Sequence, residues 1–223
     1  MRMNRCARWI PCVLAIGALA ACAGTPPSHY YSLMPDTVQP AQVHALAPAQ
    51  HSYVVSVDPV SIPEQVDRPQ IVLIEPDSAQ VTPLSGYLWA AQLSEELRAA
   101  LADDLSRRLG VLEIPHGQVP RGKGSWQIGV SVQRFDSYYG KQAVLDASWS
   151  ATPHGVVKAK PAYCRARIAV PVGDGMSALV EGHKQALWTL SGLIAQHIEP
   201  GRAGGAPAAL SNTTSDVQFN RCS

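Results

Sequence analysis

Charge is scarce in this sequence and nowhere concentrated. Only 16% of the 223 residues are charged, 18 basic against 17 acidic. No block of one sign and no acidic tail occurs, and the balance is not basic enough to imply a nucleic-acid partner. No apolar run is long enough to span a membrane. The apolar, uncharged N-terminal stretch from Trp9 to Gly24 falls short of the roughly 20 residues a bilayer core requires, and Pro11 weakens a helix there. Catalytic signatures are also missing. There is no H-E-x-x-H and no G-x-S-x-G. The seven histidines are scattered, with none paired at metal-ligand spacing. Neither an enzyme, a metal site nor a bound cofactor is expected, and no internal repeat is visible.

What is present begins at the N-terminus. Arg2, Arg5 and Arg8 precede a charge-free run over residues 9–21. A basic start, a short apolar run and small residues at a cut site make a secretory signal. Leu19-Ala20-Ala21-Cys22 matches a lipobox, in which the cysteine thiol takes a diacylglyceryl group as a thioether. Cleavage before Cys22 and acylation would hold the protein to a membrane without a spanning helix, since two or more chains make a stable anchor. Ala23 follows where an Asp would favour the inner membrane, so the outer membrane is the expected destination. Removing 21 residues from 223 leaves 202, enough for one domain. The loss of three arginines leaves 15 cations against 17 acids, a net charge of −2.

Cysteine use follows from the same cut. Cys6 and Cys12 leave with the signal and Cys22 carries lipid. Cys164 and Cys222 remain, and an even pair in an oxidising compartment reads as one disulfide, the alternative being two free thiols.

Beyond Cys22, residues 22–50 are rich in Ala, Pro and Gln and read as a tether, with Tyr30-Tyr31-Ser32-Leu33 as an exception that could form an edge strand. The folded domain is expected over 51–199, followed by a Gly/Ala/Pro-rich tail over 200–223. Alternation predicts a half-buried strand from Tyr53 and a more buried one over Gln70 to Ile74. Trp89, Leu93, Leu97, Leu101, Leu105 and Leu109 predict a helix over 88–109, ended by Gly110. A short strand is expected over Val111 to Ile114. Three strands with period-two patterns follow, around Trp126–Gln133, Ala143–Trp149 and Cys164–Val170, and read as an antiparallel meander. A second helix is expected over 177–198. The expected fold is therefore α/β of the α+β kind: a mostly antiparallel sheet of about five to six strands packed against two long amphipathic helices.

Two local patterns invite chemistry. Gly117 to Lys123 fits G-x-x-x-x-G-K, but Gly124 stands where a magnesium-holding Ser or Thr is needed and a strand follows instead of a helix, so it reads as a basic loop. Glu95-Glu96 and Asp103-Asp104 are adjacent on a helix, so the members of each pair point apart. They read as a solvated face, not as a catalytic dyad.

One segment carries a resemblance. Ser61-Ile62-Pro63-Glu64-Gln65-Val66-Asp67-Arg68-Pro69-Gln70-Ile71-Val72 resembles the signature of the PqiC-type ABC-transport auxiliary lipoproteins, in which an aliphatic-Pro turn leads into Asp-Arg-Pro-Gln and a strand. Tyr30-Tyr31-Ser32-Leu33, Val57-Asp58-Pro59-Val60, a Trp at the start of the long helix (Trp89) and a late amphipathic helix also match, over most of residues 28–199. The family's Trp-x-x-Pro-Leu is here Trp89-Ala90-Ala91-Gln92-Leu93, without the proline. Physically, Pro69 disfavours the helical region for Arg68 and launches an extended strand. The resemblance implies Pro63, Asp67, Arg68, Pro69, Gln70 and Trp89 as motif residues. It also implies an outer-membrane lipoprotein on the periplasmic face, docking a periplasm-spanning MCE-domain protein (PqiB-type) of an inner-membrane lipid transporter, with a homo-oligomeric ring as the expected assembly. The competing expectation is a pilotin-like or other envelope-assembly accessory lipoprotein.

Overall fold

A computed structural model describes residues 27–35, 51–76, 78, 80–115, 117–199, 215–220 and 222. The signal segment, Cys22, most of the expected tether and the 200–214 stretch lie outside the described residues. In chain order the elements are β1 (His29–Tyr31), β2 (Tyr53–Val57), β3 (Gln70–Ile74), β4 (Val81–Trp89), α1 (Leu93–Leu109), β5 (Gly124–Tyr138), β6 (Gln142–His154), β7 (Ala162–Pro171), α2 (Met176–Ile198) and β8 (Asp216–Asn220).

The strands form one eight-stranded sheet in the order β1-β4-β3-β5-β6-β7-β8, with β2 beside the first part of β5. The expected α+β composition is observed, but the sheet is larger than expected and mixed, not mostly antiparallel. β1 pairs with β4, β2 with β5 and β3 with β5 in parallel. The sheet also takes in residues on both sides of 51–199, through β1 and β8. Tyr30 and Tyr31 lie in β1, and Leu33 just beyond it is buried at 1% exposure, so the chain is already held by the fold there.

The β5–β6–β7 meander forms as its period-two pattern dictates. Trp126, Ile128 and Val130 of β5, Leu145 and Trp149 of β6, and Ile168 of β7 are all buried in one core. Full burial of side chains this size contributes about 1.5–3 kcal/mol each. Small residues on the same face let α2 come close. A Cβ on Gly182 would overlap Val172 Cγ1 and meet Ala143 Cβ at 3.1 Å. β2 differs from the half-buried expectation: all five of its residues are buried.

The first helix starts later than its pattern suggests. Trp89 is the last residue of β4, its amide donating to Pro69 O at 2.8 Å. Gln92, extended at ψ 134°, turns the chain into α1 at Leu93. The helix ends at Gly110, left-handed at φ 67°, the conformation glycine adopts without strain. Val111 to Ile114 makes no strand of its own. It contributes one bridge, Glu113 to Val55, with Val55 N donating to Leu112 O and Ile114 N to Val55 O. Cys164 of β7 is bonded to Cys222, two residues past β8, with Cα atoms 4.3 Å apart.

Candidate functional site

The Asp67-Arg68-Pro69 segment folds as a turn. Val66 N and Asp67 N both donate to Pro63 O, at 3.0 and 3.2 Å. Val66 plugs the turn into the core at 3% exposure. Pro69 then sets the chain extended, and Gln70 enters β3 opposite Leu88 of β4. The turn thereby comes to rest against the β4–α1 junction. Asp67, Arg68, Pro69, Trp89 and Gln92 line a surface cavity of about 460 Å³ together with Ala90 and Ala91. Of the six expected motif residues the structure brings four to this cavity. Pro63 builds the turn behind it and Gln70 continues into the strand.

The cavity has a rigid side and a polar side. Trp89 is 3% exposed, its ring edge-on to Phe135 at 6.0 Å and to His183 at 6.5 Å. Phe135 and His183 stack at 4.0 Å. On the polar side, the Gln92 side-chain amide donates to both Asp67 oxygens, at 3.2 and 3.4 Å. The Arg68 Nε is buried and has no hydrogen-bond partner. Just behind, the Glu96 carboxylate accepts the Ser32 hydroxyl and the Leu33 amide, both at 2.8 Å, which ties the segment after β1 to the first turn of α1. Gln92 was given no role from the sequence, and Glu96 was read there only as part of a solvated face. Glu96 carried a signal, since it lies one residue before Leu97 of the apolar stripe.

The paired acids depart from the solvated face expected of them. In each pair one member points inward: Glu96 is 5% exposed and Asp104 3%. Burial raises the Asp104 carboxyl from the usual 3.8 to about 7, against the opposing pull of Arg107. Arg108 answers it from the same helix and bridges to α2. Its guanidinium donates to Trp188 O at 2.7 Å and Ser191 Oγ at 2.9 Å, and lies 3.6 Å over the Trp188 ring.

A serine–histidine contact exists but is sealed. Ser137 Oγ lies 2.9 Å from His183 Nε2. His183 is 0% and Ser137 2% exposed, and burial lowers the imidazole to about 3. A nucleophile and base in this setting have no path to a substrate. Gly117 to Lys123 is a loop leading into β5, and among the described residues no group of three or more His, Cys, Asp or Glu could hold a metal. No helix among those residues is long and apolar enough to cross a membrane.

Comparison with known proteins gives the class to which this fold and turn belong: a family model described as "ABC-type transport auxiliary lipoprotein component" matches residues 31–195, well over half of the chain. The chain belongs to this family, that of the PqiC-type lipoproteins, which is a family of transport auxiliary components and not of enzymes. No curated protein matches the sequence. Two solved structures share the fold. A crystal structure of an uncharacterized protein superposes with a TM-score of 0.60 at 20% identity, covering 78% of this chain and 100% of the other. Protein XCC0632 from Xanthomonas campestris, assigned to DUF330, superposes with a TM-score of 0.54 at 18% identity, covering 78% of this chain and 97% of the other.

Proposed function

We propose that this protein is an outer-membrane lipoprotein, acylated on Cys22, whose periplasmic domain docks the MCE-domain protein of a lipid transport system. The observation that carries the reading is the match of residues 31–195 to the auxiliary lipoprotein family, taken with the motif cavity. Four of its lining residues come from the segment and the Trp that resemble the PqiC-type signature. A cavity lined by an arginine beside a fixed aromatic ring suits a polar segment of a partner protein, since a guanidinium recognises carboxylates and carbonyls with directional bonds. Lipid fixes one end of the assembly and the domain holds the partner near the membrane. The role is interfacial, and the ring-shaped homo-oligomer is part of the proposal.

The test is crosslinking in the native envelope followed by co-purification with the MCE protein. Association is expected, and Arg68→Ala should weaken it while leaving the fold intact. No association after mild crosslinking would refute the docking role. A Cys22→Ser variant should fold but leave the membrane fraction; retention there would refute the anchor.

A further inference from the structure

We infer that the protein stands on its membrane on one particular end of the sheet, the end carrying the β5–β6 turn, with Tyr30, Val81 and Tyr139 against the lipid surface. The inference rests on the proposed lipid anchor at Cys22.

The register defines two ends. At one, Tyr138 of β5 pairs with Gln142 of β6 across the turn. Ser137 pairs with Leu73, and Ile74 with Val81. Pro171 of β7 pairs with Gln142 at the same level. At the other end, Ser125 of β5 pairs with His154 of β6, and Gly124 with Tyr53. β5 has 15 residues, so the two ends stand roughly 45 Å apart at about 3.3 Å per residue.

β1 shows from which end the lipid-bearing segment arrives. It is parallel to β4, β4 is antiparallel to β3, and β3 is parallel to β5. β1 therefore runs opposite to β5, and the residues before His29 come from the β5–β6 turn end. Its level is fixed by Tyr31, which pairs with Trp89, whose ring rests on Phe135 near the end of β5. From Cys22 to Pro27 is five residues, which cover at most about 18 Å even when fully extended. That limit is less than half the distance between the two ends, whatever conformation the five residues take.

The chemistry of the two ends agrees with this placement. Near the turn end, Tyr30 is 67% exposed, Tyr139 48% and Val81 44%. The charges around them are of both signs, Lys141 and Lys184 against Glu75, Asp174 and Glu181. Tyrosines favour the headgroup zone, where the ring is half in lipid and the hydroxyl wet. The far end carries Arg121, Lys123, Lys158 and Lys160, all exposed, against the half-buried Glu113 beside Val55 and Glu199 beside Tyr53, so its exposed charge is basic. Anionic headgroups would attract that basic end at about 1 kcal/mol per charge, so the short connection to the lipid has to hold it away from the bilayer.

The experiment uses the full lipidated chain in vesicles of brominated phosphatidylcholine, and in vesicles also containing anionic phosphatidylglycerol. A fluorescent unnatural residue replaces Tyr139 in one sample and Val157 in the other. Quenching by bromine is expected to be several-fold greater at position 139 in both vesicle types. Equal quenching at the two positions, or greater quenching at 157 in the anionic vesicles, would overturn the orientation while the protein still floats with the vesicles. Failure to float at all would overturn the anchor and the orientation together.

Discussion

Replacing Asp104 by Asn should stabilise the protein, and by an amount that depends on pH. Asp104 sits on the inner face of α1 at 3% exposure, and burial raises its carboxyl from 3.8 to about 7. A carboxyl with a raised folded-state pKa favours the fold in its protonated form. Its contribution is intact below pH 3.8 and is lost progressively as pH rises to about 7. Each pKa unit corresponds to about 1.4 kcal/mol, so the full cost of ionisation approaches about 4 kcal/mol. The pull of Arg107 and Arg108 is already contained in that pKa. Asn removes the ionisation, so its stabilising effect should be near zero at pH 4 and about 2–4 kcal/mol at pH 8. His183 works in the opposite direction: its imidazole, lowered to about 3, costs stability as pH falls below the usual 6.5. Taking the difference between variant and parent at each pH cancels that contribution. The assay is urea denaturation followed by tryptophan fluorescence at several pH values, with the slope checked for constancy. A stabilisation that does not change with pH, or a variant less stable than the parent at pH 8, would refute the reasoning.

Other outcomes follow from the packing. Gly182→Ala forces a methyl into Val172 and Ala143 and should cost about 1–3 kcal/mol by overpacking; an unchanged melting temperature would count against the close α2–sheet approach. Cys222→Ala removes the bond to Cys164, 58 residues away, and should cost about 2–4 kcal/mol, with faster amide exchange in β8 before any other strand. Arg108→Lys keeps the charge but loses the fork reaching Trp188 O and Ser191. It should destabilise the α1–α2 contact by about 1–3 kcal/mol, and the loss should be non-additive with Asp104→Asn in a double-mutant cycle.

The meander and both helices could be read from the sequence because their apolar periods are long and clean. β4 could not, because Pro83, Ser85 and Gly86 interrupt it and its register against β3 shifts between Gln70 and Val72. β8 is five residues beyond a Gly/Ala/Pro-rich stretch, and its place is set by pairing with β7 and by Cys222. The parallel pairings of β1, β2 and β3 are choices made between distant segments, which no local period encodes. In the site, Asp67, Arg68, Pro69 and Trp89 were legible through the resemblance, but what joins them was not. The Trp was expected to open the helix and instead closes a strand, because Gln92 delays the first helical turn. Glu96 and Asp104 were misjudged as solvated because they are charged. Their spacing with Ala100, four residues on either side, already placed all three beside the leucine stripe.

The bond between Cys164 and Cys222 ties two distant parts of the chain in time as well as in space. On the export route proposed above, that link is absent while the chain is in a reducing compartment, and β8 then has only its pairing with β7 to hold it. The staple can close only when the chain through residue 222 has reached an oxidising compartment. On that proposed route, sealing of this edge of the sheet is postponed until after translocation, which would favour a precursor loose enough to be exported and a domain that locks on arrival.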